Sequence, residues 1–165
     1  MSILIFVDID GTLSKPGHRM QKPPPKNQKR GDLAYEAWLE EIQNPEEMLE
    51  DPIIDGMRQF VNRFNEEEAF YLTSRHEKYR VITRQWLTKM GFPHRKLFMR
   101  PENDFRPSSE FKSDLVARVI QKTYKDKEEY PSVIVIDDDQ KGEIEKVCKE
   151  KGWTFLKARS GGKAY

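Results

Sequence analysis

A single cysteine, Cys148, stands among 165 residues. That excludes an intramolecular disulfide framework and a cysteine-rich zinc site. Long apolar runs are also missing. The longest near the N-terminus is Ile3 to Val7, too short for a secretory core segment of ~7–15 residues or a membrane span of ~20. Net charge is almost absent, because 29 Lys+Arg against 28 Asp+Glu leave +1. A globally basic nucleic-acid binder and a globally acidic tail are both excluded, so any charge argument must be local. No G-x-x-x-x-G-K-[ST] phosphate loop occurs, and no kinase half of that type is expected in this chain. There is no internal repeat and no interdomain linker. The expectation is a soluble, intracellular, cytoplasmic protein with no membrane partner, one domain over 1–165, and a homo-oligomer left open.

What is present alternates between strand and helix. Ile3 to Val7 is a continuous β-branched-rich run, the pattern of a strand buried on both faces. Residues 15–30 carry six Lys/Arg and four prolines with no acid, an irregular basic loop. Leu33 to Ile42 has helical spacing behind Asp32 as a candidate N-cap, and the acidic stretch Glu36 to Asp51 reads as a solvated helix and loop. Asp55 to Glu68 is the clearest amphipathic helix (Met57, Phe60, Val61, Phe64). Then follow a strand at 69–72, a helix from Lys78 to Met90 closed by Gly91, and a brief strand at 97–99. A helix capped by Ser108 or Ser109 comes next, then a buried strand at 133–136, a helix over 142–151 and a last strand at 154–156. The tail from Arg159 to Tyr165 is polar. Such alternation calls for a mostly parallel, five-stranded, Rossmann-like α/β sheet with helices on both faces. The 15–50 stretch reads as a small cap inserted after the first strand.

Two of the apolar strands end directly in acids: Asp8 and Asp10 after the first, Asp137 and Asp138 after the fourth. Ligands of open α/β sheets bind beyond the carboxyl ends of the strands. If those two strands are neighbours, three or four carboxylates crowd one spot, which is strongly unfavourable without a cation. An all-oxygen donor set selects Mg²⁺. Taken singly, each acid has an ordinary turn or cap use. Together they frame a site, with a hydroxyl and a lysine falling between them in order.

The set Asp8-Ile9-Asp10-Gly11-Thr12, Thr73, Lys112 and Asp137-Asp138 resembles the four motifs of the haloacid dehalogenase superfamily. Arg19, Thr73-Ser74-Arg75, Tyr79-Arg80, Trp86, Met99-Arg100-Pro101, Asp104 and Arg106 add a closer likeness. They are similar to the phosphatase domain of the phage polynucleotide kinase/phosphatase enzymes and their stand-alone relatives, from about residue 3 to the C-terminus and most weakly over 20–50. The resemblance implies a haloacid dehalogenase-type fold and a Mg²⁺-dependent phosphomonoesterase, a polynucleotide 3′-phosphatase of nucleic acid repair. In it Asp8 would be the nucleophile and Asp10 the general acid and then base. Thr73 and Lys112 would hold the phosphoryl oxygens. Asp8, the Ile9 carbonyl, Asp137 and Asp138 would hold Mg²⁺, with Asp10 counted in the same acidic set. Arg19, Ser74 and Arg75 would line the substrate pocket. Two positions depart from the pattern: Asp139 stands where Arg is frequent and reads as a helix cap, and Ser74 stands where Gly is common.

His18 reads as a surface residue beside the basic loop, and His76 and His94 read as solvent-facing. Cys148 shares helical spacing with Ile144 and reads as core. The basic loop follows the nucleophile strand, where loops overhang the ligand crevice, and is expected to attract a phosphate-rich substrate. Two other functions stay open. One is a phosphatase of free nucleotides or another small phosphorylated metabolite, and the other is a non-catalytic phosphate-accepting or nucleic-acid end-binding module.

Overall fold

The computed structural model describes residues 2–159; residues 160–165 of the polar tail lie outside the described residues. Five strands form one parallel sheet: β1 (Ile3–Val7), β2 (Ala69–His76), β3 (Lys96–Arg100), β4 (Ser132–Asp137) and β5 (Thr154–Lys157). Their order is β3-β2-β1-β4-β5, so β1 is central. The register pairs Val7 with Ile136. Asp8 and Asp137 therefore leave neighbouring strands at the same level, the adjacency on which the acid-cluster argument depends.

Alternation along the strands feeds two cores. Ile5, Val7, Tyr71, Leu97 and Ile136 face α2 (Pro45–Leu49), α3 (Met57–Asn62) and α4 (Arg80–Lys89), packing with Met48, Val61 and Trp86. Leu4, Phe6, Leu72, Val133 and Val135 face α5 (Ser108–Tyr124) and α6 (Glu143–Lys151), packing with Phe111, Val116, Ile144 and Cys148. Cys148 is core, as its spacing indicated. The insertion carries α1 (Leu33–Ile42) with α2 and has a small cluster of its own, Met20, Trp38, Leu39 and Ile42. Its two ends are joined. Ser14 bridges to Ile53, and the Lys15 amide donates to the Pro52 carbonyl at 2.7 Å. No described helix is long and apolar enough to cross a membrane.

Several local expectations need correction. The helix expected over 55–68 is only α3. Gly56 starts it in a left-handed conformation, and the Phe64 and Glu68 amides close tight turns onto Val61 and Asn65. Phe60 and Phe64 owe their helical spacing to an edge-to-face ring contact across that end, centroids 4.8 Å apart. Pro107, not a serine, occupies the N-cap of α5. Asp32 is the N-cap of α1 as expected, with its carbonyl accepting the Glu36 amide, but its carboxylate accepts the Lys29 amide and makes no capping bond. The 36–51 stretch is not wholly solvated, since Met48 and Asp51 are fully buried. His76 is buried too, because β2 runs on beyond residue 72 and α1 covers its end with Glu36. His18 and His94 are exposed.

Candidate active site

The turn after β1 is built by one carbonyl. The Ile9 C=O accepts the amides of Thr12, Leu13 and Ser14 at 3.1, 2.8 and 3.1 Å. Three amide donors fix the direction of that oxygen, the carbonyl expected among the metal ligands. Gly11 sits at φ +84°, and a Cβ there would lie 2.3 Å from the Asp138 carboxylate. Glycine is thus required by conformation and by space at once.

Asp8, Asp137 and Asp138 converge, all buried, with one carboxylate oxygen of each inside a 4.8 Å circle. Thr12 Oγ1 donates to Asp8 at 3.0 Å. Lys112, reaching in from α5, donates to Asp8 at 2.8 Å and to Asp137 at 2.6 Å. Burial pulls the Lys112 ammonium down, but the charges of Asp137 and Asp8 outweigh it and its pKa ends above the ordinary value. One ammonium against three carboxylates leaves a net negative, oxygen-only donor set, the chemistry that fits a hard divalent cation such as Mg²⁺. Asp139 has a different task. Its carboxylate accepts the Ile144 and Glu145 amides, capping α6, while its own amide donates to Asp137 at 2.8 Å.

Asp10 stands outside that triad. Arg19 donates to it at 2.8 Å, Arg75 at 2.8 Å through Nε and 2.7 Å through Nη2, and Ser14 at 3.3 Å. Arg19 and Arg75 are buried; both are engaged with Asp10. Behind them is a residue the sequence reading missed. Asp51 accepts Arg19 Nε at 2.8 Å and Nη2 at 2.8 Å, with Arg75 at 3.5 Å. Its backbone carbonyl accepts the Trp86 indole N–H at 2.8 Å. Burial lowers the Arg19 guanidinium, but Asp10 and Asp51 overcompensate and hold it above its usual range. Burial also pushes the Asp51 carboxyl up and Arg19 pulls it back; with a two-pronged guanidinium on it, the ion pair is the state the geometry favours.

Asp51→Asn is expected to cost about 3–5 kcal/mol of stability, the usual penalty for stranding one member of a buried ion pair. The check is the urea midpoint, which should fall at unchanged slope. A midpoint equal to the parent's would mean that Asp51 carries no structural weight.

Thr73 is buried on β2, and its hydroxyl accepts the Arg75 amide at 3.2 Å. Ser74, on the opposite side of the strand, donates to the Ser108 hydroxyl at 2.9 Å. Asp8, Asp10, Thr73, Ser74, Arg75, Lys112, Asp137 and Asp138 all line one open cleft of about 640 Å³. Lys29, Arg30 and Trp38 of the insertion line it as well. Lys22 instead pairs with Glu41 on the exposed surface of the insertion.

The profile of the family described as "Polynucleotide kinase PNKP phosphatase domain" matches residues 2–147. The chain belongs to this family. It is a haloacid dehalogenase-superfamily phosphatase domain, and the all-parallel α/β sheet is that superfamily's fold. Similar structures include two Pnkp1/Rnl/Hen1 assemblies. One, titled as a complex, has TM-score 0.60 at 18% identity over 96% of this chain and 46% of that one. The other, titled an RNA repair complex, has TM-score 0.65 at 18% identity over 98% and 44%. A hydrolase from Streptococcus pneumoniae TIGR4 has TM-score 0.54 at 14% identity over 94% and 92%. At these identities the likeness is one of fold. The chain spans less than half the length of the Pnkp1/Rnl/Hen1 chains it matches. Among curated proteins none matches this chain.

Proposed function

We propose that the domain is a Mg²⁺-dependent phosphomonoesterase that removes 3′-phosphates from nucleic-acid ends through a phospho-aspartyl intermediate. The observation that carries this reading is the pair of acids with opposite surroundings. Asp8 lies among carboxylates beside Lys112, and Asp10 lies between two guanidinium groups. The first suits a nucleophile beside a cation; the second aims a carboxylate suited to the base of the second step, which has to take up its proton against two guanidinium groups to act as the acid of the first.

An Asp8 oxygen attacks phosphorus, forming an acyl phosphate as the ester P–O bond breaks. The leaving 3′-oxygen takes a proton from Asp10. Asp10, now a carboxylate, draws a proton from water, and that water's oxygen displaces Asp8 to release inorganic phosphate. Lys112 and Thr73 hold phosphoryl oxygens, while Thr12 fixes the Asp8 carboxylate. Asp8, Asp137 and Asp138 would hold Mg²⁺, which supplies charge neutralisation for the phosphoryl group.

The choice of a nucleic-acid end over a small metabolite rests on the family and on the open cleft with Lys29 and Arg30 on its wall. The test is a substrate panel with Mg²⁺ or EDTA: 3′- and 5′-phosphorylated oligonucleotides, mononucleotides and an aryl phosphate. The expected result is the highest kcat/KM on the 3′-phosphorylated oligonucleotide and no turnover in EDTA. A preference for mononucleotides moves the assignment to small substrates. Full activity in EDTA removes the cation from the mechanism.

A further inference from the structure

One part of the cleft is not used by the chemistry. Arg30, Tyr35, Ser74, Phe105 and Ser108 line it, in the same cleft as Asp8 and Lys112. Arg30 Nη1 is buried without a hydrogen-bond partner among the described residues, which in a native protein calls for an explanation. Arg100 and Arg106 are close by, sharing the Asp104 carboxylate. Arg100 lies beneath, fully buried, with its N–H groups spent on the Ser74, Asp104 and Arg106 carbonyls and the Ser108 hydroxyl. Burial and the nearby Arg30 charge bring the Arg100 pKa down to about 10. Three guanidinium groups, two of them on one carboxylate, with an unspent N–H on Arg30 and the Ser108 hydroxyl lining the same cleft, are the chemistry of an anion site.

Next to it is an aromatic surface. Phe105 is a large apolar side chain left 47% exposed. Gly31 lies against its ring, φ +91°, so closely that a Cβ would come within 3.2 Å of Cγ. The ring is thus braced on one side by backbone and open on the other. Tyr35 lines the same cleft and is itself held edge-on by Trp38, centroids 5.2 Å apart. Braced aromatic rings beside a cation are how proteins hold single-stranded bases. Ser74 and Ser108 line the same cleft as Thr73 and Lys112, so the anion site and the reacting centre share one cavity.

We propose that this part of the cleft is a subsite for the nucleotide adjoining the phosphorylated terminus, with Arg30 and the Ser108 hydroxyl, which accepts from Ser74 and Arg100 and keeps its own proton, taking its phosphodiester and Phe105, with Tyr35, stacking its base. The subsite rests on the 3′-phosphatase reading above and names how much of a strand that site senses. It makes the enzyme sensitive to two features that a nucleoside 3′-phosphate lacks, a second phosphate and a second base.

Three substrates separate those features: a nucleoside 3′-phosphate, a nucleoside 3′,5′-bisphosphate and a dinucleotide 3′-phosphate. In the parent, kcat/KM should rise about tenfold with the second phosphate and about tenfold again with the second base, the scale of a charge-assisted contact and of one stacked base. Arg30→Ala should erase the first rise, and Arg30→Lys should restore part of it. Phe105→Ala should erase the second rise and keep the first. Equal kcat/KM on all three substrates in the parent overturns the subsite, as do both rises persisting in both variants. The phosphatase reading survives either result. Hydrolysis of an aryl phosphate with none of any nucleoside 3′-phosphate is a different outcome; it removes the nucleic-acid assignment itself and the subsite with it.

Discussion

Asp8→Asn is expected to fold normally and to lose turnover by at least about 10⁴-fold. An amide oxygen is a far poorer nucleophile at phosphorus than a carboxylate, and losing a nucleophile collapses the catalytic unit instead of trimming it. The fold should survive because the change keeps the side chain's shape. Lys112 and Thr12 donate to different Asp8 oxygens; Asn can keep its carbonyl oxygen on Lys112 and turn its amide N–H to the Thr12 hydroxyl, which can accept. The change also removes one of three crowded negative charges, which relieves repulsion where no cation is bound. The measurement is kcat on an aryl phosphate beside a urea midpoint. Folded Asp8→Asn turning over within tenfold of the parent would sink the covalent mechanism.

Asp10→Asn should slow catalysis by about 10²–10⁴-fold, the range for losing general acid and base help. The loss should be uneven. An alkyl phosphate needs its leaving oxygen protonated and should suffer fully in the first step. An aryl phosphate with an acidic leaving group should be attacked almost as before, so that phospho-Asp8 accumulates and can be trapped by acid quench. Hydrolysis of that intermediate at the parent's rate would take the base role away from Asp10. Arg19 and Arg75 each lose a carboxylate partner in this variant, so the urea midpoint has to be measured beside the rates.

The parts of this architecture readable from sequence are those written in contiguous residues. Ile3–Val7 and 133–136 are apolar runs with acids at their ends, and the sheet pairs them in register. Asp139 follows two acids and precedes a helix, and it caps that helix. Gly91 closes α4 at φ +76° as its position indicated. The unreadable parts are pairings across distance. Asp51 meets Arg19 across 32 positions, and an acid ending an acidic stretch looks solvated until its partner is known. His76 looked like a turn residue because β2 continues through Thr73-Ser74-Arg75, where functional side chains hide the strand's alternation. The Ile9 carbonyl is a backbone atom, and no side-chain pattern reports where a carbonyl turns. Arg19 and Arg75 were recognisable as site residues, but their engagement with Asp10 follows from depth of burial, which composition does not carry.

The joined ends of the insertion have a consequence for evolution. Where Lys15 meets Pro52 the chain leaves the domain and returns at one point, so what lies between is a replaceable cassette. Exchanging it for a longer or shorter one changes chain entropy little, about 0.6 kcal/mol per doubling of length. The exchange would alter the wall of the cleft and, through Met48 and Asp51, part of the core packed on Trp86. Asp8, Thr73, Lys112, Asp137 and Asp138 all lie on the scaffold side of that junction. The cassette carries Arg19 and Asp51, so a successor without them leaves Asp10 to Arg75 on β2 alone. A lineage could therefore rewrite which phosphate esters are admitted while inheriting the acid cluster whole.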